Sequence, residues 1–391
     1  MKRVAVIGVG TAGITSLSFC LAQLDSSWQV YSISDPKTPI LGIGETTTPA
    51  MVGNLYSSTK FNLLQDGHEL DATLKYGVKY SGWRKNDFFS HSVPPNYAMH
   101  FNNFKLKEFS FNRFIQQWGD KFVTLNGKID NLKNVTDAVE VSIDGEISTF
   151  DYVIDCRGYP DDYSDCVISQ SIPVNHCLVH IINEPGEWNW SYTVAHKNGW
   201  MFGIPLQTRQ GWGYLYNDTI TTKDEAVADI AERFKTTDLN LKEFAFKNYY
   251  AKTFIDGRII KNGNRALFFE PMEGLSGVFY DLVLRMFAGL VDGTTNDVMI
   301  NNSLTLTAQD FENFICYVYH GGSTYDSEFW KQTKKKCSNH IKASSRFKEF
   351  VRLMKTVQPH EHANQSRIFP PFISATWVDF DRNLNYNYFT R

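Results

Sequence analysis

A short apolar run followed by three spaced glycines constrains this chain more than any other feature. Val4, Ala5, Val6 and Ile7 are consecutive apolar residues, the pattern of a parallel strand covered on both faces. Gly8-Val9-Gly10-Thr11-Ala12-Gly13 follows. At this spacing Gly8 turns the chain, Gly10 lets backbone approach a pyrophosphate, and Gly13 lets a helix pack closely on the strand. That helix starts near Thr11 and Ala12 and runs through the apolar stretch Ile14 to Leu24, offering its first N–H groups and positive dipole end to phosphate. A second strand, Gln29 to Ser34, completes a βαβ unit. The acidic residue that would hold a ribose hydroxyl belongs at its end, where Asp35, displaced by one position, is the candidate. A second glycine-bearing segment follows, Gly42-Ile43-Gly44-Glu45-Thr46-Thr47-Thr48-Pro49.

The 391 residues are 42% hydrophobic and 15% aromatic, which suits a globular enzyme with a large core and two or three domains. A net charge of −3 gives no general field for nucleic acid or an acidic membrane, and Lys334-Lys335-Lys336 reads as a solvated helix face. Six cysteines (20, 156, 166, 177, 316 and 337) lack C-x-x-C spacing, so reduced thiols in the cytoplasm are expected, with neither a disulfide frame nor a zinc site. Met1-Lys2-Arg3 and its apolar sequel have the outline of a signal peptide, but the glycine fingerprint accounts for them better. Leu282 to Val291 is too short to span a bilayer and carries Arg285, so no membrane segment is expected. His360-Glu361-His362 is too close-set for a zinc helix motif, and no metal is expected. His320-Gly321-Gly322-Ser323 lacks an accompanying nucleophile elbow and reads as a turn.

Further along, Thr59 to Lys79 reads as mainly helical, as does Phe104 to Trp118. Val139, Val141 and Ile143 alternate into Asp144-Gly145, a hairpin signal, and Tyr152 to Asp155 is an apolar strand leading to Cys156-Arg157-Gly158. Val174 to Tyr216 is rich in strand formers. Helices are expected over Lys223 to Lys235, from the Glu270 turn through Leu290, and over Ala308 to Met354. The last thirty or so residues read as aromatic and irregular.

Taken in order, these segments resemble the flavin-dependent halogenases of the tryptophan halogenase type. Gly8 to Gly13 is similar to the family's FAD fingerprint, and Gly42 to Pro49 to its GxGExTxP strap beside the flavin. Leu74-Lys75-Tyr76-Gly77-Val78-Lys79 looks like the segment of its catalytic lysine. Asp155-Cys156-Arg157-Gly158 resembles its second flavin segment, and Trp200-Met201-Phe202-Gly203-Ile204-Pro205 its WxWxIP signature, with Phe202 in place of the second tryptophan. Glu270-Pro271-Met272-Glu273 is similar to its EPLE turn, and Asp326 to Trp330 matches a later helix.

The resemblance implies an α/β, FAD-binding Rossmann-type (GR2-like) fold with an interleaved substrate-binding module and a helical C-terminal part. The expected division is 1–58, 136–170 and 255–300 for FAD, 59–135 and 171–254 for substrate, and 301–391 for a shortened helical part. It implies FAD contacts at Gly8, Gly10, Thr11, Ala12, Gly13, Asp35, Gly44, Glu45, Thr46, Asp155 and Gly158. It also implies reduced FAD from a separate reductase, with O2 and halide as co-substrates, making hypohalous acid that halogenates an electron-rich aromatic such as an indole or phenol. Trp200, Phe202, Ile204 and Pro205 would wall the flavin from the substrate. Lys75 would direct the oxidant, preferred over Lys79 by position, and its amine suits the task because burial can lower its pKa. Glu273 would orient the oxidant or accept the arenium proton, and it also suits a helix N-terminus.

Departures from the pattern carry expectations of their own. The chain is shorter than its relatives usually are, which makes free tryptophan a doubtful substrate and fits a phage-encoded member. A missing C-terminal part would also expose apolar surface that a second copy can cover. Lys261-Asn262-Gly263-Asn264-Arg265-Ala266 lacks the usual small-residue stretch, so weak FAD retention is expected. Leu275, Ser276 and Gly277 stand for an altered halide site, expected to favour bromide or iodide. Two alternatives stay open, an aromatic monooxygenase and a flavin-binding module without catalysis.

Overall fold

The computed structural model describes residues 1–40, 42, 44–83, 88–92, 97–356 and 374–389. The helices are α1 (Thr11–Gln23), α2 (Pro49–Thr59), α3 (Leu63–Asp66), α4 (Asn103–Trp118), α5 (Lys223–Phe234), α6 (Leu275–Val291), α7 (Asp297–His320), α8 (Glu328–Ala343), α9 (Ser345–Met354) and α10 (Ser374–Leu384).

The N-terminal apolar run forms the middle of a six-stranded sheet. Lys2–Ile7 lies between two parallel neighbours, Trp28–Ser34 on one side and Tyr152–Asp155 on the other, with Ile7 opposite Ile33 and Asp155. Val4 to Ile7 are almost fully buried, as a doubly covered strand requires. Phe122–Asn126 closes one edge, parallel to Trp28–Ser34, and Ile255–Asp256 and Ile259–Lys261 close the other. The expected division had placed Phe122–Asn126 with the substrate-binding module; its pairing puts it in the nucleotide sheet. A three-stranded antiparallel sheet, turning at Asp144-Gly145 with both residues at positive φ, connects back to Tyr152.

The second large sheet has seven strands, in the order Leu241–Ala245, His176–Ile182, Gln210–Tyr216, Gly199–Pro205, Ser191–His196, Gly77–Ser81 and Phe88–Ser92. Gly199–Pro205, central and buried on both faces, points Trp200, Phe202 and Ile204 into the main core and Met201 into a smaller one with Trp212 and Tyr214. Against this sheet pack α7, α8 and α10.

The expectation of a helix from Thr59 to Lys79 is corrected. Thr59 ends α2, Lys60 is left-handed, and Thr73–Lys75 and Gly77–Ser81 are strands. The spacing there is two rather than 3.6, since Val78 and Tyr80 are buried while Lys79 and Ser81 are half-exposed. Gly77 is the overlooked signal, because a side chain there would run into the backbone carbonyl of His91 on the next strand. A second correction concerns the C-terminal thirty residues, where α10 is a regular helix. The triplet His360-Glu361-His362 lies outside the described residues. Met272–Val291 is long and apolar enough to cross a membrane by length and composition. In the fold it packs against α1, α2 and α7, with Phe279, Val283, Leu284 and Phe287 buried in the core.

Candidate active site

Two clusters form, joined by one polar chain. At the first, the carboxyl end of Lys2–Ile7 meets the start of α1. A side chain at Gly13 would strike the carbonyl of Gly8, and Gly8 itself, at φ +98°, passes against the carbonyl of Cys156, whereas the space beside Gly10 is open. Gly10 is the N-cap of α1, with no side chain capping it and no acidic residue in the first turn. Open backbone, free amide donors and a positive dipole end fit the pyrophosphate of a dinucleotide. Gly158 lies nearby on the chain at φ +86° with open space beside it. Gly263, in the segment expected to weaken FAD binding, approaches Ala12 so closely that a methyl group would clash. Asp155 is engaged by the protein, accepting from Arg157 at 2.8 Å through both oxygens and lying 3.4 Å from Arg265. The carboxylate of Asp35 accepts from the amide of Lys37 in its own turn.

The joining chain runs from α1 to the strap. Thr11 donates its hydroxyl to Asn103 Oδ1 (2.7 Å), and the amide of Asn103 donates to Glu45 Oε1 (3.1 Å), which also takes a guanidinium hydrogen bond from Arg209. Glu45 is buried, and burial raises its pKa against the opposing pull of Arg209. The strap is pinned further on: Thr47 exchanges hydrogen bonds with the backbone of Met99, Thr46 bridges to His100, and Thr48 caps α2 ahead of Pro49.

The second cluster lies where the strap faces the first turn of α6. Thr46 and Thr48 approach Gly274 and Gly277 across that gap, and the buried hydroxyl oxygen of Thr46 has no protein partner. Gly274, left-handed, is the N-cap of α6 with no side chain capping the turn; the amide of Leu275 donates to the carbonyl of Met272, which leaves those of Ser276 and Gly277 on the side of the strap. Lys75 ends the strand Thr73–Lys75 and is 3% exposed; its ammonium reaches the carbonyl of Thr47 at 3.4 Å. Burial lowers its pKa to about 8, with Glu273 pulling the other way. Lys79 belongs to the next strand and rests over the ring of Phe88 at 4.0 Å. His100, on the strand paired with Lys75, is held by Thr73 and Ser191; burial and then Lys75 push its pKa well down.

Glu273 sits in the left-handed region at φ +57°. Its carboxylate accepts from the hydroxyl of Tyr80 (2.6 Å) and from Nδ1 of His91 (2.8 Å). Glu270, three residues earlier, is fully buried in different company. Trp200 Nε1 donates to the hydroxyl of Tyr319, which donates to Glu270 Oε2 (2.8 Å), while Oε1 has no partner. Burial raises the pKa of Glu270 to about 8, against the hydrogen bond from Tyr319. Trp83 stands between the two surroundings, touching Tyr80 on one side and Trp200, Tyr319 and Trp330 on the other. The ring of Phe202 covers Gly213 across the strand pair, and Ile204-Pro205 continues that strand.

Sequence reasoning overlooked Tyr80, His91, His100, Arg209 and Tyr319, each far in the chain from the group it serves. The one available signal was Tyr80, the fourth residue of a strand whose first three residues had been read as a helix. All six cysteines are free thiols, and among the described residues no cluster of His, Cys, Asp and Glu is arranged to hold a metal.

A sequence model of the tryptophan halogenase family matches residues 3–121 and 89–371. The tryptophan 7-halogenase RebH of Lentzea aerocolonigenes is 21% identical over 430 residues, covering 85% of this chain and 79% of its own length. The tryptophan 6-halogenase ThaL of Streptomyces albogriseolus is 21% identical over 433 residues, covering 88% and 81%. Among solved structures, a tryptophan halogenase from Shewanella frigidimarina superposes with a TM-score of 0.81 at 16% identity, over 99% of this chain and 89% of that one, so the fold is shared.

Proposed function

This chain belongs to the tryptophan halogenase family, and on that premise we propose that Lys75 and Glu273 are the catalytic pair of a halogenase acting on an electron-rich aromatic. The enzyme is a flavin-dependent halogenase that uses reduced FAD, O2 and halide. The observation that carries the residue assignment is the buried amine of Lys75, facing the strap and under the electrostatic influence of Glu273.

FAD would be held by Gly8 to Gly13 with the first turn of α1, by the strap and by Gly158; bound and reduced, it would supply the two electrons that bring O2 to the oxidation level of peroxide, which then takes two electrons from halide to give hypohalous acid. The turn of Leu275, Ser276 and Gly277 would take the halide, with the amides of Ser276 and Gly277 as donors, beside the unpartnered hydroxyl of Thr46. With glycine at position 274 in place of a side chain, this pocket favours bromide or iodide over chloride; direct competition yielding chiefly chlorinated product would overturn that preference. Trp200 and Phe202, on the rigid central strand ending in Ile204-Pro205, form the apolar barrier.

Lys75 donates an N–H hydrogen bond to the oxygen of hypohalous acid and so makes the halogen more electrophilic. The aromatic carbon attacks the halogen and the halogen–oxygen bond breaks. Lys75 passes a proton to the departing oxygen, which leaves as water. Glu273 takes the proton from the ring carbon and returns it to the Lys75 amine, so both groups end as they began. The substrate is an indole or phenol, the reduced flavin comes from a separate reductase in the cytoplasm, and no nucleic acid or membrane takes part.

The test supplies purified protein with FAD, NADH, a flavin reductase, catalase and each of chloride, bromide and iodide, and screens aromatics by mass spectrometry beside Lys75→Ala. Halogenated product that disappears in the variant is expected. Hydroxylated product formed without halide would instead make the protein a monooxygenase.

A further inference from the structure

The carboxylate of Glu273 is gripped by two side chains from another part of the fold, the hydroxyl of Tyr80 and Nδ1 of His91. Tyr80 comes from Gly77–Ser81 and His91 from Phe88–Ser92, adjacent antiparallel strands whose register sets Tyr80 opposite Phe89 and Val78 opposite His91. Neither donor is loosely placed. Tyr80 is fully buried and stacked on Phe89 at 4.6 Å, and the ring of Phe380 in α10 meets both Tyr80 (5.6 Å) and His91 (5.5 Å) edge-on. Thr376, also in α10, lies 3.5 Å from Nε2 of His91.

The grip has to overcome a local preference. A non-glycine residue in the left-handed region costs on the order of 1–2 kcal/mol, and such a residue persists where its surroundings over-determine it. Hydrogen bonds to a carboxylate are about twice as strong as neutral ones. Each carboxylate oxygen accepts two hydrogen bonds, so one donor per oxygen fixes the group and still leaves each oxygen one position for Lys75 or a substrate proton.

We propose that Tyr80 and His91 are positioning residues for halogenation, a two-donor clamp that aims the Glu273 carboxylate at Lys75 and the reacting carbon. This rests on the reading of Glu273 as the proton acceptor. It also specifies the histidine tautomer, with the proton on Nδ1, because a bare Nδ1 would set a lone pair against Glu273 Oε2.

Two measurements decide it. In the ¹⁵N spectrum of histidine-labelled protein, with His91 assigned by its loss in His91→Asn, the Nδ1–H form is expected; an Nε2–H imidazole overturns the clamp. In reductase-coupled turnover of indole with bromide, Tyr80→Phe and His91→Leu each lower kcat roughly ten- to a hundred-fold. KM for indole stays within about threefold, and hypobromous acid caught by a 1,3-diketone trap rises as product falls. His91→Asn, whose amide N–H stands in for Nδ1–H, recovers kcat to within about fivefold of the parent. Full turnover in both Tyr80→Phe and His91→Leu, with Glu273→Gln inactive, removes the clamp and leaves Glu273 catalytic. Full turnover in Glu273→Gln removes the underlying reading instead. Should Tyr80→Phe not fold, the comparison of His91→Leu with His91→Asn decides alone.

Discussion

The two sides of one turn, at Glu270 and at Glu273, put the same functional group into opposite surroundings. Glu273 faces Lys75, the strap and two hydrogen-bond donors from the last two strands of the seven-stranded sheet. Glu270 faces the aromatic packing of Trp200, Trp83 and Tyr319, with one oxygen unpartnered. The first carboxylate acts electrostatically on the Lys75 amine. The second, its pKa raised to about 8, is a protonated acid at neutral pH and acts as a polar pin in the core. Identity of side chain therefore says little about role here; what surrounds the group decides it.

The largest expected effect falls on the Glu273 side. Lys75→Ala and Glu273→Gln lower product formation by about 10²-fold or more, while Glu270→Gln stays within about threefold in the same coupled assay. Equal losses at Glu270 and Glu273 would break the contrast. On the other side, Glu270→Ala leaves the hydroxyl of Tyr319 without its acceptor in the core, and thermal or denaturant unfolding should show a loss of about 2–4 kcal/mol.

Lys75 is expected to trade activity for stability. Its pKa falls from 10.5 to about 8 on folding, so the unfolded chain binds its proton more tightly. The penalty is complete below pH 8 and fades as the pH rises toward 10.5. Lys75→Met is accordingly inactive and, measured near pH 7, about 1–3 kcal/mol more stable, the gain shrinking above pH 9. A destabilised Lys75→Met would mean that the ammonium is held more favourably than its burial suggests.

Glu270 gives the opposite dependence. Its folded pKa is raised, so its contribution is greatest below pH 4.5 and is lost as the pH climbs to 8. Melting curves of Glu270→Gln between pH 5 and 8 should be flatter than those of the parent. In turnover, the ammonium role of Lys75 predicts a rate that declines above about pH 8; a rate that rises there would point to a haloamine at the neutral amine.

Much of the nucleotide half was legible in the sequence because its signals are local. Four apolar residues, three glycines and a helix start occupy ten consecutive positions, and Asp144-Gly145 states its own turn. The candidate site was legible only through a family resemblance, since Lys75 alone looks like any surface lysine. The misread stretch from Thr59 to Lys79 shows why. Thr73 to Lys75 pairs with Ala98 to His100, and Val78 with Ser191 and His91, partners that no window of neighbouring residues contains. For the same reason Tyr80 and His91 were invisible beside Glu273, some 190 and 180 residues away.

The pairing of Lys2–Ile7 also has a consequence for synthesis. One neighbour, Trp28–Ser34, follows almost at once, but the other begins at Tyr152, and that strand in turn waits for Ile259–Lys261. At ribosomal speeds of roughly 5–20 residues per second, the first strand leaves the tunnel on the order of ten to fifty seconds before the sheet around it can close. Through that interval the nascent chain carries a bare apolar edge, and its safe passage depends on what shields it while the rest is still being made.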